Sequence, residues 1–168
     1  MVIRIGYAAG AYDLFHVGHL NILRQAKAHC DVLVAGVVSD EICLATKGRL
    51  PAVPLHERME ILKHISLVDR VVSETSTNRL EAWREVGFHV FFKGDDWKGT
   101  KKGALLEQQF SAVGVEVVYF PYTVHTSSTI LRRALEALST GAQEHAALDP
   151  VQDAVLIPLH TAKLAHNQ

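Results

Sequence analysis

The chain has 168 residues, room for one domain with a real core but not for two full ones. Hydrophobic residues make up 48% and charged residues 21%, an ordinary soluble balance. With 17 Lys+Arg against 18 Asp+Glu the formal charge is -1, which argues against a non-specific nucleic-acid binder.

Cys30 and Cys43 lie far apart with no CxxC pattern, so neither a disulfide framework nor a structural zinc site is expected. The chain opens without a basic leader, and no apolar run approaches about 18 residues. A cytoplasmic protein without membrane insertion is the expectation.

Val2–Ala9 reads as a first strand and Val17–His29 as an amphipathic helix. Between them stands Gly10-Ala11-Tyr12-Asp13-Leu14-Phe15-His16-Val17-Gly18-His19. Residues three apart share a helix face, so His16 and His19 point the same way from a first turn that starts near Val17. That turn offers unpaired N–H groups and a partial positive charge, and Gly18 clears space above it. A lone HxxH would more often cap or pack; the flanking strand, glycine and helix favour an anion site. Zinc fails on ligand count.

Asp31–Val38 is the second strand, and 39–49 reads as a loop carrying Thr46-Lys47-Gly48-Arg49. Its basic residues are either a solvated charged face or a cover for bound phosphates. Leu55-His56-Glu57-Arg58 opens a helix over Leu55–Leu67, followed by strand Arg70–Ser73 and helix Arg79–Val86.

Phe88–Lys93 is the fourth strand, leading into Gly94-Asp95-Asp96-Trp97-Lys98-Gly99. Paired carboxylates there can hold Mg²⁺ or bind hydroxyls, or the stretch is a plain turn; Trp97 suggests a stacking or lid role. Helix Gly103–Val113 and strand Val115–Phe120 follow.

The stretch from Thr123 to Thr129 precedes a last helix over Ser127–Leu138. One hydroxyl suffices for a cap, yet Thr126, Ser127, Ser128 and Thr129 supply four, beside Arg132 and Arg133. Capping and phosphate binding both remain open. Residues 140–168 read as a loose tail or an element that docks on a partner subunit.

Strands and helices alternate, and the strands are apolar on both faces. The fold class is therefore α/β: a Rossmann-like three-layer fold with a five-stranded parallel sheet and right-handed crossovers. Ligands in such sheets bind beyond the carboxyl ends of the strands, which gathers loops 10–19, 39–49, 94–102 and 121–129 at one crevice.

Taken together, GAYDLFHVGHLNILRQAK, VAGVVSDE, TKG, LHER, LVDRVV and SST resemble, in their order, the nucleotidylyltransferase superfamily with an HxGH motif. The closer resemblance, over roughly 3–138, is to cytidylyltransferases that make CDP-glycerol, CDP-ethanolamine and CDP-choline. FKGDDWKG followed by VVYFP is most like the glycerol-3-phosphate enzymes among them.

The resemblance implies that 1–139 is a nucleotidylyltransferase domain joining CTP to a small alcohol phosphate, most closely glycerol 3-phosphate, with Mg²⁺ carried by CTP and no certain metal ligand in the chain. His16, His19 and Lys47 would be catalytic. Ala11, Tyr12, Val17, Gly18, Arg49, Gly94, Asp95, Tyr122, Thr123, Thr126, Ser127, Ser128 and Thr129 would hold the nucleotide. Lys47, Arg79, Asp13 and Trp97 would meet the acceptor, with Arg58 and Asp40 in support. A homodimer is expected on the same ground. Two departures stand out: GAYD replaces the family's GTFD, and YTVHTSS replaces RTEGIST, putting Tyr122 where an arginine grips phosphate. The alternatives are a cytidylyltransferase of the CDP-ethanolamine or CDP-choline type or for another polyol phosphate, then an adenylyltransferase of the same superfamily, then a non-catalytic nucleotide-binding module.

Overall fold

The computed structural model of the chain describes residues 2–121 and 126–146. A unit ending at Ala134 holds the sheet and the site; a second unit begins at Leu135. In chain order the elements are β1 (Ile5–Gly10), α1 (Val17–Lys27), β2 (Val32–Val38), α2 (Asp40–Lys47) and α3 (Leu55–Lys63). There follow β3 (Arg70–Glu74), α4 (Arg79–Val86), β4 (Val90–Gly94), a 3₁₀ turn at Asp95–Trp97, α5 (Lys101–Ser111), β5 (Glu116–Phe120) and α6 (Ser128–Ala146).

The sheet is parallel throughout, in the order β3-β2-β1-β4-β5. All five expected strands are present. β2 explains why they read as continuous apolar runs: Leu33 to Val38 are all buried, because helices cover both faces.

Alternation then sorts side chains into two cores. Ala8, Leu33, Ala35 and Phe92 join Leu23 and Ala26 of α1 and Leu62 of α3. Their neighbours Tyr7, Val34 and Phe91 face the other way, joining Val86 of α4 with Leu106 and Phe110 of α5. That gives the expected three layers. At roughly 1.5–3 kcal/mol per fully buried large apolar side chain, these two layers supply most of what holds the fold.

Several boundaries differ from expectation: α1 ends at Lys27, α3 already at Lys63, β4 starts at Val90, and α5 runs two residues earlier at both ends. β1 starts at Ile5, where pairing with Val32 begins, and Val2 and Ile3 stay exposed. Residues 40–47, expected as loop, form α2: Ser39 Oγ accepts from the Ile42 N–H at 3.3 Å, and Gly48 ends the helix at φ 69°. Only Cys43 of α2 is buried, so it has almost no apolar face to betray it. The last helix continues past Leu138 to Ala146. Among the described residues no helix is long and apolar enough to cross a membrane.

Candidate active site

Strand order reverses between β1 and β4, where a parallel sheet leaves a crevice at its carboxyl edge. A cleft of about 680 Å³ lies there. Of the residues singled out from sequence, Ala11, Tyr12, His16, Gly18, His19, Lys47, Arg79, Gly94, Trp97 and Thr126 to Thr129 line it.

The chain leaves β1 through a tight turn in which Tyr12 and Leu14 adopt left-handed φ angles of 53° and 49°. Non-glycine residues hold that region only when their surroundings impose it. Tyr12 is buried, and its hydroxyl donates to the Ala8 carbonyl at 2.9 Å. The turn delivers His16 as the N-cap of α1.

His16 Nδ1 accepts the Gly18 N–H at 3.0 Å, and His19 Nδ1 lies 3.4 Å from the His16 N–H. This is a capping box built from imidazoles. With each Nδ1 accepting, each ring carries its proton on Nε2. Capping and ligand binding are therefore not rivals here: the two nitrogens of each ring divide the tasks. The rings stack with centroids 4.0 Å apart. Burial lowers the pKa of His16. Burial, then the neighbouring His16, pushes His19 down to about 3, against the pull of Asp13. Both rings are neutral hydrogen-bond donors at pH 7. His16 Nε2 meets Ser128 Oγ at 3.3 Å, a long bond that a phosphate oxygen can displace.

Arg58 is buried beneath the turn, 1% exposed. Its guanidinium donates to the carbonyls of Val53 (2.8 Å), Val38 (3.0 Å) and Ala11, and pairs with Asp40 at 2.5 Å. Asp40 also accepts from the Leu55 N–H at 3.1 Å. One arginine thus ties the turn after β1 to the end of β2 and the start of α3, and Asp40 and Arg58 brace the site from behind.

Asp13 is a second brace. Its carboxylate accepts the Val53 N–H at 3.0 Å and pairs with Arg132, and its carbonyl accepts from Ser128 Oγ at 2.7 Å. Burial pushes its pKa up, but the Val53 and Ala52 amides and Arg132 outweigh that and hold it below the usual carboxylate range. It lines, with Arg49, a smaller neighbouring cavity rather than the main cleft. Val17 is 50% exposed outside the cleft.

In the GDDW stretch the carboxylate in the cleft wall is Asp96, not Asp95. Successive residues of a 3₁₀ turn point about 120° apart, so only one of two neighbours can face a given side. A Cβ on Gly94 would stand 2.6 Å from Asp96 Oδ1, so a larger residue there would turn the Asp96 carboxylate aside. Tyr122 and Thr123 lie outside the described residues.

Sequence reasoning passed over Lys93, the residue before Gly94. Its Nζ sits 4.5 Å from the centre of the Trp97 ring and lines the cleft with Lys47, Arg79 and Lys102. Burial and the nearby Arg79 push its pKa down to about 8, with Asp96 and Glu74 opposing and Lys47 adding to the fall. Arg79 is paired with Glu74, a buried carboxylate that also accepts from the Tyr7 hydroxyl at 3.0 Å. A lysine at a strand end gives no signal of what stands around it.

Among the described residues no three His, Cys, Asp or Glu side chains converge as a metal site. Asp96 is the acidic side chain in the cleft wall.

The chain is similar to several known proteins. A relative named ethanolamine-phosphate cytidylyltransferase, from Arabidopsis thaliana, is 53% identical over 68 residues, 40% of this chain and 16% of that protein. The chain thus spans about a sixth of that relative's length. Glycerol-3-phosphate cytidylyltransferase of Bacillus spizizenii is 31% identical, covering 77% of this chain and 95% of its own. FAD synthase of Thermococcus sibiricus is also 31% identical, over 76% and 89%. In fold, the lipopolysaccharide core biosynthesis protein of Thermoplasma volcanium matches 74% of this chain and all of its own at TM-score 0.63 and 22% identity. A family model described as cytidylyltransferase-like matches residues 7–134, the span holding both histidines, Lys47 and the Ser/Thr cluster, and the chain belongs to that family.

Proposed function

We propose that the chain joins CTP to a small alcohol phosphate, glycerol 3-phosphate first among them, giving the CDP-alcohol and pyrophosphate. The observation that carries this reading is the imidazole capping box, which presents two neutral Nε2–H donors beside a helix N-terminus. An acceptor phosphate oxygen attacks the α-phosphorus of CTP. The bond from that phosphorus to the bridging oxygen of the β-phosphate breaks, and pyrophosphate leaves with the electron pair. A phosphate dianion is already nucleophilic, so positioning and charge stabilisation are the protein's tasks. His16 and His19 donate to oxygens where charge develops, while Lys47 draws the anions together. Thr126 to Thr129 offer hydroxyls to the nucleotide, and Mg²⁺ enters with CTP as its counter-ion.

Adenylyl transfer is the second reading, favoured by the FAD synthase that matches this chain at the same 31% identity as the glycerol-3-phosphate enzyme. Pyrophosphate release with Mg²⁺, crossing CTP and ATP against glycerol 3-phosphate, phosphoethanolamine and phosphocholine, tests both. Release with CTP and glycerol 3-phosphate supports the proposal. Release confined to ATP replaces it, and nucleotide binding without release under any pairing leaves a non-catalytic module. Homodimerisation, implied by the family resemblance, is checked by sedimentation of the full chain.

A further inference from the structure

The cleft wall built by the ends of α2 and β4 and the start of α4 is cationic. Lys47, Lys93 and Arg79 come from those three elements, and each lines the cleft. Arg79 is neutralised by Glu74. Lys93 is not in ion-pair contact with any carboxylate among the described residues; what its ammonium covers is the face of Trp97, 4.5 Å from the ring centre.

An aromatic face in a cleft of this kind would otherwise suit the ammonium end of an amino-alcohol phosphate, through its attraction for a cation. Here that face already holds a cation belonging to the protein. A second ammonium would lose the ring and meet the charge of Lys93 as well. A hydroxyl or carboxylate at the same place would instead gain a donor. Asp96, in the same wall, can accept from a hydroxyl.

We propose that Lys93, seated on Trp97, is a specificity-determining residue that admits acceptor phosphates with a neutral or anionic far end, polyol phosphates above all, and turns away those with an ammonium. The proposal rests on the cytidylyl-transfer reading.

The test compares kcat/KM for glycerol 3-phosphate and for phosphoethanolamine, at saturating CTP, in the wild type, Lys93→Met and Lys93→Arg. The wild type is expected to favour glycerol 3-phosphate. Lys93→Met uncovers the ring and removes the charge, so the preference falls by at least about tenfold, partly through a gain with phosphoethanolamine. Lys93→Arg restores the preference. A merely structural role would lower both substrates together and give no gain. Lys93→Gln is the second variant if Met disturbs folding, and the thermal shift with CTP controls for an intact nucleotide site. An unchanged ratio in folded Lys93→Met or Lys93→Gln, or a wild type that prefers phosphoethanolamine, overturns the proposal while leaving cytidylyl transfer standing. No pyrophosphate from CTP with any acceptor in the wild type overturns both.

Discussion

The Gly18 N–H donates to His16 Nδ1 at 3.0 Å, and the same ring fills the space that a Gly18 side chain would need. Its Cε1 and Nδ1 stand 2.8 and 2.9 Å from the position of a Cβ on Gly18. The middle glycine of the HxGH motif is therefore a matter of room for an imidazole. Gly18→Ala must push the His16 ring off its cap. Loss of one aimed donor lowers kcat on the order of 10²–10³-fold. Helix α1 survives, because alanine exceeds glycine in helix propensity by up to about 1 kcal/mol, which offsets the crowding. Turnover beside a thermal melt checks this, and a well-folded variant with normal kcat would show that the ring need not sit there.

The two nitrogens of His16 can be separated by mutation. Asparagine at an N-cap accepts the same backbone N–H but has no second nitrogen at the reach of Nε2. His16→Asn is expected to keep the wild-type melting temperature while losing kcat on the order of 10²-fold or more. His16→Ala loses that activity and also the cap, about 1 kcal/mol of stability. If Asn and Ala variants melt alike, the cap contributes nothing; if Asn turns over normally, Nε2 is not the working donor.

This division of labour marks how far the sequence can be read. Strand, glycine, histidine spacing and helix placed the site at the carboxyl edge of the sheet, and burial on both faces made the strands plain. Three features escaped, and a fourth, Arg58, was reached only through the family resemblance. The α2 helix buries only Cys43, so its residues carry no periodic apolar face. The resemblance gave Arg58 its supporting role, but nothing local says that the carbonyls of Val53, Val38 and Ala11 converge on it. Asp95 and Asp96 are equivalent until the 3₁₀ turn chooses which one faces inward. Lys93 gains its meaning only from the Trp97 ring beneath its ammonium and from the charge of Arg79 nearby.

The buried state of His19 makes a prediction in pH. The folded chain keeps this ring neutral down to about pH 3, whereas the unfolded chain protonates it near the ordinary 6.5. Between these values the unfolded state binds more protons, so stability falls as pH falls. The contribution is complete above pH 6.5 and is lost progressively toward pH 3. His19→Asn removes this one term and leaves the depressed carboxyls of Asp13 and Asp69 in place. Its melting temperature should decline less steeply than the wild type's between pH 6.5 and 4. Parallel declines would mean that His19 is solvated enough to titrate normally.

Arg58 carries the last prediction. Three backbone carbonyls and the Asp40 carboxylate converge on one guanidinium that is 1% exposed. Arg58→Met matches the length and suits the buried setting but leaves every one of those acceptors without its donor. Removing one member of a buried ion pair costs about 3–5 kcal/mol, and the partial exposure of Asp40, 30%, places the expectation near the lower figure. Arg58→Lys should recover little, since one ammonium cannot reach four acceptors spread around a planar fork. Adding Asp40→Asn to Arg58→Met removes the stranded charge but not the stranded carbonyls, so part of the loss should return. Urea unfolding of the three variants measures these differences. The Ala11 carbonyl is among the released acceptors, so turnover should fall in Arg58→Met even under conditions where it remains folded. A loss below about 1 kcal/mol, the worth of a single ordinary hydrogen bond, would mean that water replaces the guanidinium and that the turn after β1 holds its left-handed residues without this brace.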